Sequence, residues 1–499
     1  MEETVASERD PAALAATLAI LVVACLAVSA PAQDLNLALK GTARSWHENS
    51  VASVPVSFAT DGDLLTFWGS NAPTTDPPKD MGVVWEDPVS AECVIARFYS
   101  ADHAPAEGGW ELQGRRDGDW FRLEATVDNT DGAWWTFRFP PAQVKALRLL
   151  VTAYRLSRVA VSEFEIYTKA PEAEPLRRAP ILDGAFWAFH YENWAMHFPA
   201  DHLLAREVDA AHAIGLDIVI LYTLTGADDT WSTVVPGACL PQSPWWSGRD
   251  PLEAILTRAD ALGMRVYLGD GPPTGFGAPE DAQREAATET LLNQYREEML
   301  ARYAGHPSLV GYYINYECCP AEFGNDPEIP SGNTQRLARH IRSLRPRFEI
   351  IQPVGLYNWR AEPQAPWHAA RPDEIEGFWR PYMAACPDVD VFMVIDGVGT
   401  GLSPLNYTHL NQARLRSICD QLGKRMWTDV EVAVMGRRYE PMPVGRVAQS
   451  LAVAARHADT MVGFCYFNYM SPNNGRGTSA RLYSDYRTYR LGVLTAGAR

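Results

Sequence analysis

Two glutamates stand where bond-breaking chemistry could be done. Glu317 closes the apolar run Leu309–Glu317 (LVGYYINYE), and Glu431 closes most of Lys424–Val432 (KRMWTDVEV). Hydrolysis of a glycosidic bond needs two carboxyl groups flanking the scissile oxygen, one as proton donor and the other as nucleophile or as base for water. Glu317 is read as the acid/base and Glu431 as the nucleophile. On that assignment the two should stand about 5–5.5 Å apart, whereas a gap of about 6.5–9.5 Å would admit water and imply inversion. Asp429 precedes Glu431 by two residues and so shares its face of an extended chain, where it can hydrogen-bond Glu431 or replace it. Asp396 is a further candidate for the second carboxylate or a ligand for sugar hydroxyls. A single glutamate at a strand end is often a structural carboxylate; the pair is what points to hydrolysis.

The elements that must position this pair are eight strand-like runs: Ile181–His190, Asp217–Thr225, Met264–Gly271, Leu309–Glu317, Phe348–Gly355, Val389–Gly397, Lys424–Val432 and Thr460–Met470. Helix-period segments lie between them; Ala287, Leu291, Tyr295 and Met299 recur at four-residue steps, one face of a helix. Gly263 and Gly423 stand just before strands three and seven, as left-handed helix stops. Apolar strands alternating with amphipathic helices predict a parallel sheet, and eight such units close a (β/α)8 TIM barrel whose chemistry sits at the C-terminal strand ends. Those ends deliver His190, Tyr222, Asp270, Asn315, Tyr316, Gln352, Asp396, Asp429, Asn468 and Tyr469, with Trp427 lower on strand seven, as candidate substrate contacts. Trp231, Trp245, Trp246, Trp359 and Trp367 add indoles from the loops. Asp270 could instead cap its loop, and His190 could be a core residue. No HxH or HExxH accompanies His190, so no metal is expected for catalysis. Two rival readings stay open: a non-catalytic carbohydrate-binding protein, and a polysaccharide lyase using Tyr and His.

The whole chain bounds these readings. Its 499 residues suggest more than one domain. A net charge of −17 without a basic cluster argues against nucleic acid as a partner. The 16 Trp and 20 Tyr suit a carbohydrate cleft, although many cores also bury such rings. The apolar run from Ala12 to Ala30, followed by Ala30-Pro31-Ala32, reads as a signal peptide over residues 1–32, giving a secreted or periplasmic protein with no membrane span once it is cleaved. Glu2, Glu3, Glu8 and Asp10 are atypical before such a run, so a membrane anchor is the rival; Val22-Val23-Ala24-Cys25 resembles a lipoprotein processing site. Removing Cys25 leaves Cys93, Cys239, Cys318, Cys319, Cys386, Cys419 and Cys465, an odd number, and a disulfide from Cys239 to Cys318 or Cys319 is one option.

Residues 34–168 show short strands punctuated by turns, including the hairpin around Arg115-Arg116-Asp117-Gly118-Asp119, and predict an antiparallel β-sandwich. Lys169–Pro180 reads as a linker, and 181–490 as the barrel. Asn36-Leu37-Ala38-Leu39, Ala59-Thr60-Asp61-Gly62-Asp63 with Thr66-Phe67-Trp68, the Trp110–Leu123 hairpin and Ser162–Tyr167 (SEFEIY) occur in the order of the discoidin family (F5/8 type C, galactose-binding-like), which the segment resembles. The resemblance implies a jelly roll that binds, often carbohydrate, and a calcium ion near Asp61, Asp63, Thr66 and Glu163; a turn capped by the aspartates is the alternative. The barrel resembles the DUF4434-type, glycoside-hydrolase-like TIM barrels. Its carrying motifs are Asp250-Pro251-Leu252-Glu253 with Ala259-Asp260, Gly263–Gly269, His306-Pro307-Ser308 running into Gly311–Ile314 and Tyr316-Glu317, Asp396-Gly397-Val398-Gly399, and Trp427–Glu431. The acid pair is similar to that of the large retaining glycosidase clan, with one departure: there Asn directly precedes the acid/base, whereas here Tyr316 intervenes and Asn315 is two residues back.

Overall fold

The computed structural model describes residues 36–47, 51–70, 78–128, 130–156, 158–172, 174–189, 200–225, 232–246, 248–270, 282–323, 325–356, 371–434 and 440–497. The segment read as a signal peptide lies outside these residues. Among the described residues no helix is long and apolar enough to cross a membrane, and seven cysteines are free thiols, so the disulfide considered for Cys239 is not formed.

The N-terminal unit is one antiparallel sheet of eight strands: β1 (Thr42–Arg44), β2 (Trp68–Gly69), β3 (Lys79–Phe98), β4 (Trp110–Arg115), β5 (Trp120–Arg122), β6 (Thr126–Asp128), β7 (Trp134–Val151) and β8 (Ala160–Tyr167). Strands β3 and β7 pair along nearly their whole length, but the register slips between Val84 and Val89 and again between Ala91 and Cys93. Such irregularities bend a strand. The first half of β3 therefore joins β1 and the late part of β7, while its second half joins β8 and the early part of β7. The sheet folds over a core that includes Trp68, Trp135, Phe137, Leu147 and Phe164, giving the expected jelly-roll-like sandwich. Asn36, from the first of the discoidin-like motifs, ties the chain start to the last strand by accepting from Ile166 N at 3.0 Å.

The C-terminal unit is a closed parallel barrel of β9 (Gly184–Ala188), β10 (Ile218–Tyr222), β11 (Arg265–Leu268), β12 (Leu309–Tyr313), β13 (Glu349–Val354), β14 (Val391–Ile395), β15 (Arg425–Glu431) and β18 (Thr460–Phe464), with the short pair β16 (Ala433–Val434) and β17 (Glu440–Pro441) outside the ring. Each barrel strand lies inside one of the eight predicted runs. Gly263 (φ 68°) and Gly423 (φ 65°) end the helices Pro251–Leu262 and Leu405–Leu422 in the left-handed conformation, which a side chain would disfavour. Several predicted runs outlast their strands, two of them by the widest margin. β12 ends at Tyr313, and β18 turns after Phe464 into one π turn, Tyr466–Met470.

The two units are clamped together. Gln449, on the helix Val444–Ala454, acts as a backbone substitute for the start of β7: its Oε1 accepts from Ala133 N (2.8 Å) and Trp134 N (3.2 Å), and its Nε2 donates to Trp134 O at 2.6 Å. A Cβ on Gly132 would lie 2.1 Å from Gln449 Oε1, so only glycine permits this approach. Trp134 donates from Nε1 to Asn406 Oδ1 (2.6 Å) and packs with Leu405 and Val453. The segment read as a linker is pinned to the barrel as well, by Arg456–Glu174 (3.1 Å) and Arg178 to Asp459 O (2.7 Å).

Behind Trp134 lie two half-buried imidazoles, His409 and His457, 3.3 Å apart between Nδ1 and Nε2. Burial, then Arg456, pushes His409 well below the usual histidine value and His457 down to about 4. The folded state keeps both neutral, whereas the unfolded chain takes up protons below about pH 6.5. The pair's contribution to stability is therefore complete above pH 6.5 and is lost as pH falls toward 4. In thermal unfolding, His457→Leu should gain stability relative to the parent protein as pH falls from 7 to 4. Trp134→Ala should cost about 3–5 kcal/mol and split the melt into two transitions in calorimetry.

Candidate active site

The site grows from the ends of strands six and seven. After β14 the chain runs Asp396-Gly397-Val398-Gly399-Thr400-Gly401, with Gly397 and Gly401 at φ 64° and 74°. Asp396 Oδ1 accepts from Val398 N (3.1 Å) within its own turn and from Glu431 N (3.3 Å) on the neighbouring strand. In return, Glu431 Oε2 accepts from Thr400 N at 2.7 Å. Each element's carboxylate is thus held by the other's backbone. Gly399 makes this approach possible, because a Cβ there would fall 1.9 Å from Ala433 O. Gly399 and Thr400 were not among the expected site residues; glycine at 397, 399 and 401 was the available signal for a close backbone approach.

Asp429 lies on the same strand face as Glu431 and Trp427. That face points into the barrel, since the Trp427 ring meets Tyr267 of β11, four strands away, at 5.6 Å. Asp396, Asp429 and Glu431 are 1%, 5% and 8% exposed. Burial pushes Asp396 up to about 7. Burial and then Asp396 push Glu431 up to about 8. Asp429 is raised well above the ordinary carboxyl range, first by burial and then by Asp396, Glu431 and Glu317. The opposing pull on Asp396 and Glu431 comes mainly from backbone N–H groups. Asp396 Oδ2 and Asp429 Oδ1 have no hydrogen bond among the described residues; the Ser450 hydroxyl acts on Asp396 without a bond of ordinary geometry. At neutral pH such a cluster shares protons instead of carrying three full charges.

Glu317 is half-buried, four residues beyond the end of β12. Its irregular segment is held from three sides: Tyr316 N donates to Ile314 O (2.8 Å), Gln352 Nε2 to Tyr316 O (2.9 Å) and Asn315 Nδ2 to Asp270 O (2.7 Å). Its charge acts on Asp429 of strand seven.

The other expected contacts divide. Gln352 and Asn315 hold the Glu317 segment, so their role is positioning. Asp270 is committed to Arg296, with Oδ2 at 2.6 Å from Nη2, both side chains buried, and is a structural ion pair rather than a free sugar ligand. Tyr222 (3% exposed) joins Phe186, Tyr313 and Phe464 in an aromatic layer that fills the barrel, and Trp427 (1%) lies deeper, so neither lines an open cleft. Trp246 is also buried, edge-on to Phe189. Asn468 and Tyr469 are buried in the π turn, with Asn468 Oδ1 unpaired among the described residues. Tyr316 is half-buried beside Phe323. His190, Trp231, Trp359, Trp367 and the Trp245 side chain lie outside the described residues.

In the sandwich, Thr66 Oγ1 donates to Asp61 (2.8 Å), Asp63 Oδ1 caps Leu65 N (2.9 Å) and Glu163 Oε2 accepts from Gly62 N (3.0 Å). Glu163 Oε1 is buried without a partner among the described residues, and burial, then Glu165 and Asp61, push this carboxyl up to about 8. Among the described residues no three His, Cys, Asp or Glu gather to hold a metal. Two carboxylates, a hydroxyl and loop carbonyls are nonetheless the oxygen set a hard cation takes.

Comparison with known proteins follows the two units. Residues 189–476 match the family described as a domain of unknown function, DUF4434. No curated protein matches the chain. Among solved structures, a candidate α-L-fucosidase from Bacteroides thetaiotaomicron is similar at 17% identity and a TM-score of 0.51, over 65% of this chain and 99% of that one. A chitosan-binding module of a Paenibacillus chitosanase/glucanase matches at 24% identity and TM-score 0.23, over 27% of this chain and 98% of that module. A Clostridium perfringens module in complex with GalNAc-β-1,3-galactose matches at 14% identity and TM-score 0.22, over 26% of this chain and 99% of its own.

The acid cluster has a stability signature of opposite sign to the imidazoles. Asp396 and Glu431 have folded values raised above their unfolded ones, so their contribution is complete below about pH 4 and is lost as pH rises through 7 to 8. Asp396→Asn should raise Tm at pH 8 by a few degrees and reduce the decline between pH 6 and 9, measured by thermal unfolding.

Proposed function

The chain belongs to the DUF4434 family, and we propose that its barrel hydrolyses a glycosidic bond in an oligo- or polysaccharide. The observation carrying this reading is the set of carboxyl groups at the ends of strands four, six and seven, where Asp396, Glu431 and Glu317 all act on Asp429. Glu317, the more accessible acid, protonates the leaving oxygen and then takes a proton from water. Glu431, fixed by Thr400 N–H, attacks the anomeric carbon. Attack requires Glu431 in its ionised form, which the Thr400 N–H stabilises while Asp429 holds a proton beside it. The transition state of such reactions resembles an oxocarbenium ion. A developing positive charge in a buried, acid-rich setting favours ionisation of the cluster, so the stabilisation grows as the bond breaks.

The sandwich is read as a carbohydrate-binding module, and the run over residues 12–30 as an export signal. Binding without turnover is the second reading, favoured by the low exposure of Asp429 and Glu431.

A glycan panel tests the proposal. Glu431→Gln and Glu317→Gln should each lower kcat by about 10³-fold or more, in keeping with loss of a nucleophile or general acid. Hydrolysis that survives both changes would sink the assignment; sugar binding by the unmodified protein with no product would favour the second reading.

Calcium is proposed between Asp61 and Glu163, where it would neutralise the buried Glu163 carboxylate and brace the loop. Millimolar calcium should raise Tm, by up to about 2.7 kcal/mol of stability at 100 times Kd, and a chelator should reverse it. Glu163→Gln should remove the calcium effect and raise the metal-free Tm. A Tm indifferent to calcium in the parent protein would refute the site.

A further inference from the structure

The sandwich and the barrel enclose a cavity of about 220 Å³ between them. One side is Tyr99–His103 with Leu156; the other is the loop after β14 and the helix Val444–Ala454. Pockets that take drug-sized molecules measure about 300–1,000 Å³, so this one suits a single ring. We infer that it is a subsite for one neutral pyranose unit of the same carbohydrate that the acid cluster acts on. The inference rests on the hydrolase reading for its role, but binding there can be measured without turnover.

Three observations carry it. Thr400 lines the cavity and also donates its N–H to Glu431, so a single loop forms a wall of both places. A glycan seated at the acid cluster has this loop as its neighbour on the sandwich side. Second, Ser450 lines the cavity and its buried hydroxyl acts on Asp396, a second link between the cavity and the acid cluster. Third, Asp102 of the sandwich and Arg446 of the barrel meet at 2.7 Å across the boundary. An acceptor and a fork of donors side by side match two adjacent sugar hydroxyls. Val398, Pro404 and Met442 supply apolar surface for the ring's C–H face, and Leu156, 51% exposed, stands at the rim.

A neutral ring fits better than an acidic one. The chain carries a net charge of −17, and Arg446 is already balanced by Asp102. Burial lowers His103, which keeps it uncharged, with its Nδ1 2.8 Å from Ser100 Oγ.

The experiment uses the full chain carrying Glu431→Gln, titrated calorimetrically with D-galactose, L-fucose, N-acetyl-D-glucosamine, lactose and N,N′-diacetylchitobiose. At least one should bind. Leu156→Trp, which narrows the rim while leaving the domain contacts in place, should weaken that binding about tenfold, and so should Asp102→Ala, in keeping with the loss of a charged hydrogen-bonding partner. A thermal melt within a few degrees of the parent shows that each variant is folded. If none of the five sugars binds, or if Leu156→Trp binds them as the parent does, the subsite is refuted. If binding falls but no glycan is hydrolysed by the unmodified protein, the subsite stands and the hydrolase reading fails. Hydrolysis with binding indifferent to Leu156→Trp gives the reverse.

Discussion

The arrangement depends on burying three carboxyl groups between strands six and seven with backbone N–H groups as the main compensation. An isolated carboxylate taken out of water is strongly disfavoured, and the usual outcome is that it stays protonated. Asp396, Asp429 and Glu431 escape full neutralisation by sharing protons and by accepting from Val398, Glu431 and Thr400 N–H. Everything that fixes those donors follows from this need. The left-handed turns at Gly397 and Gly401 aim the loop, and Gly399 lets it touch Ala433.

The same loop explains why the sandwich is docked where it is. Its continuation, from Ser403 into the helix Leu405–Leu422, bears Asn406, which accepts from Trp134, and Tyr407, which donates to Leu65 O at 3.0 Å. Gln449 holds the opposite side of the contact. The loop that presents a donor to Glu431 is thereby braced from behind by a second domain. Rigid placement of such donors is what makes them effective in a transition state, because they need not reorganise as charge develops.

Much of this was legible in the chain, for identifiable reasons. Barrel strands declare themselves as apolar runs because both faces are buried, and Gly263 and Gly423 mark helix ends that no other residue would adopt as cheaply. Strand ends were less legible. Ile314–Glu317 reads as a continuation of β12, yet Gln352 and Asn315 capture its backbone through side chains, and a side-chain partner leaves no periodic trace. Tyr222 and Trp427 were expected to touch substrate because inward-facing positions share one face whether they lie deep or at the rim; depth is set by barrel closure. Asp270 needed knowledge of Arg296, a helix away, and the Trp134–Gln449 clamp joins residues 315 apart. The cluster of Asp396, Asp429 and Glu431 was half visible: the acids stood out, but their mutual burial depends on the register of β14 against β15.

That register also argues for where the reaction centre can be. Ile395 pairs with Asp429, so Asp396 begins its turn one step above Asp429 and level with Val430, and Glu431 is the first side chain on the inward face to stand above that turn. Beneath it, Phe186, Tyr222, Tyr313 and Phe464 close the barrel with rings 5.1 to 6.1 Å apart. An aromatic floor excludes water from below, which raises the carboxyl pKa values and strengthens each charge interaction above it. On the hydrolase reading a substrate approaches from the rim, where Glu317 stands beyond the end of strand four and Thr400 on the loop beside strand seven. The floor, rather than any single acid, is what makes proton sharing the stable state of the unliganded site.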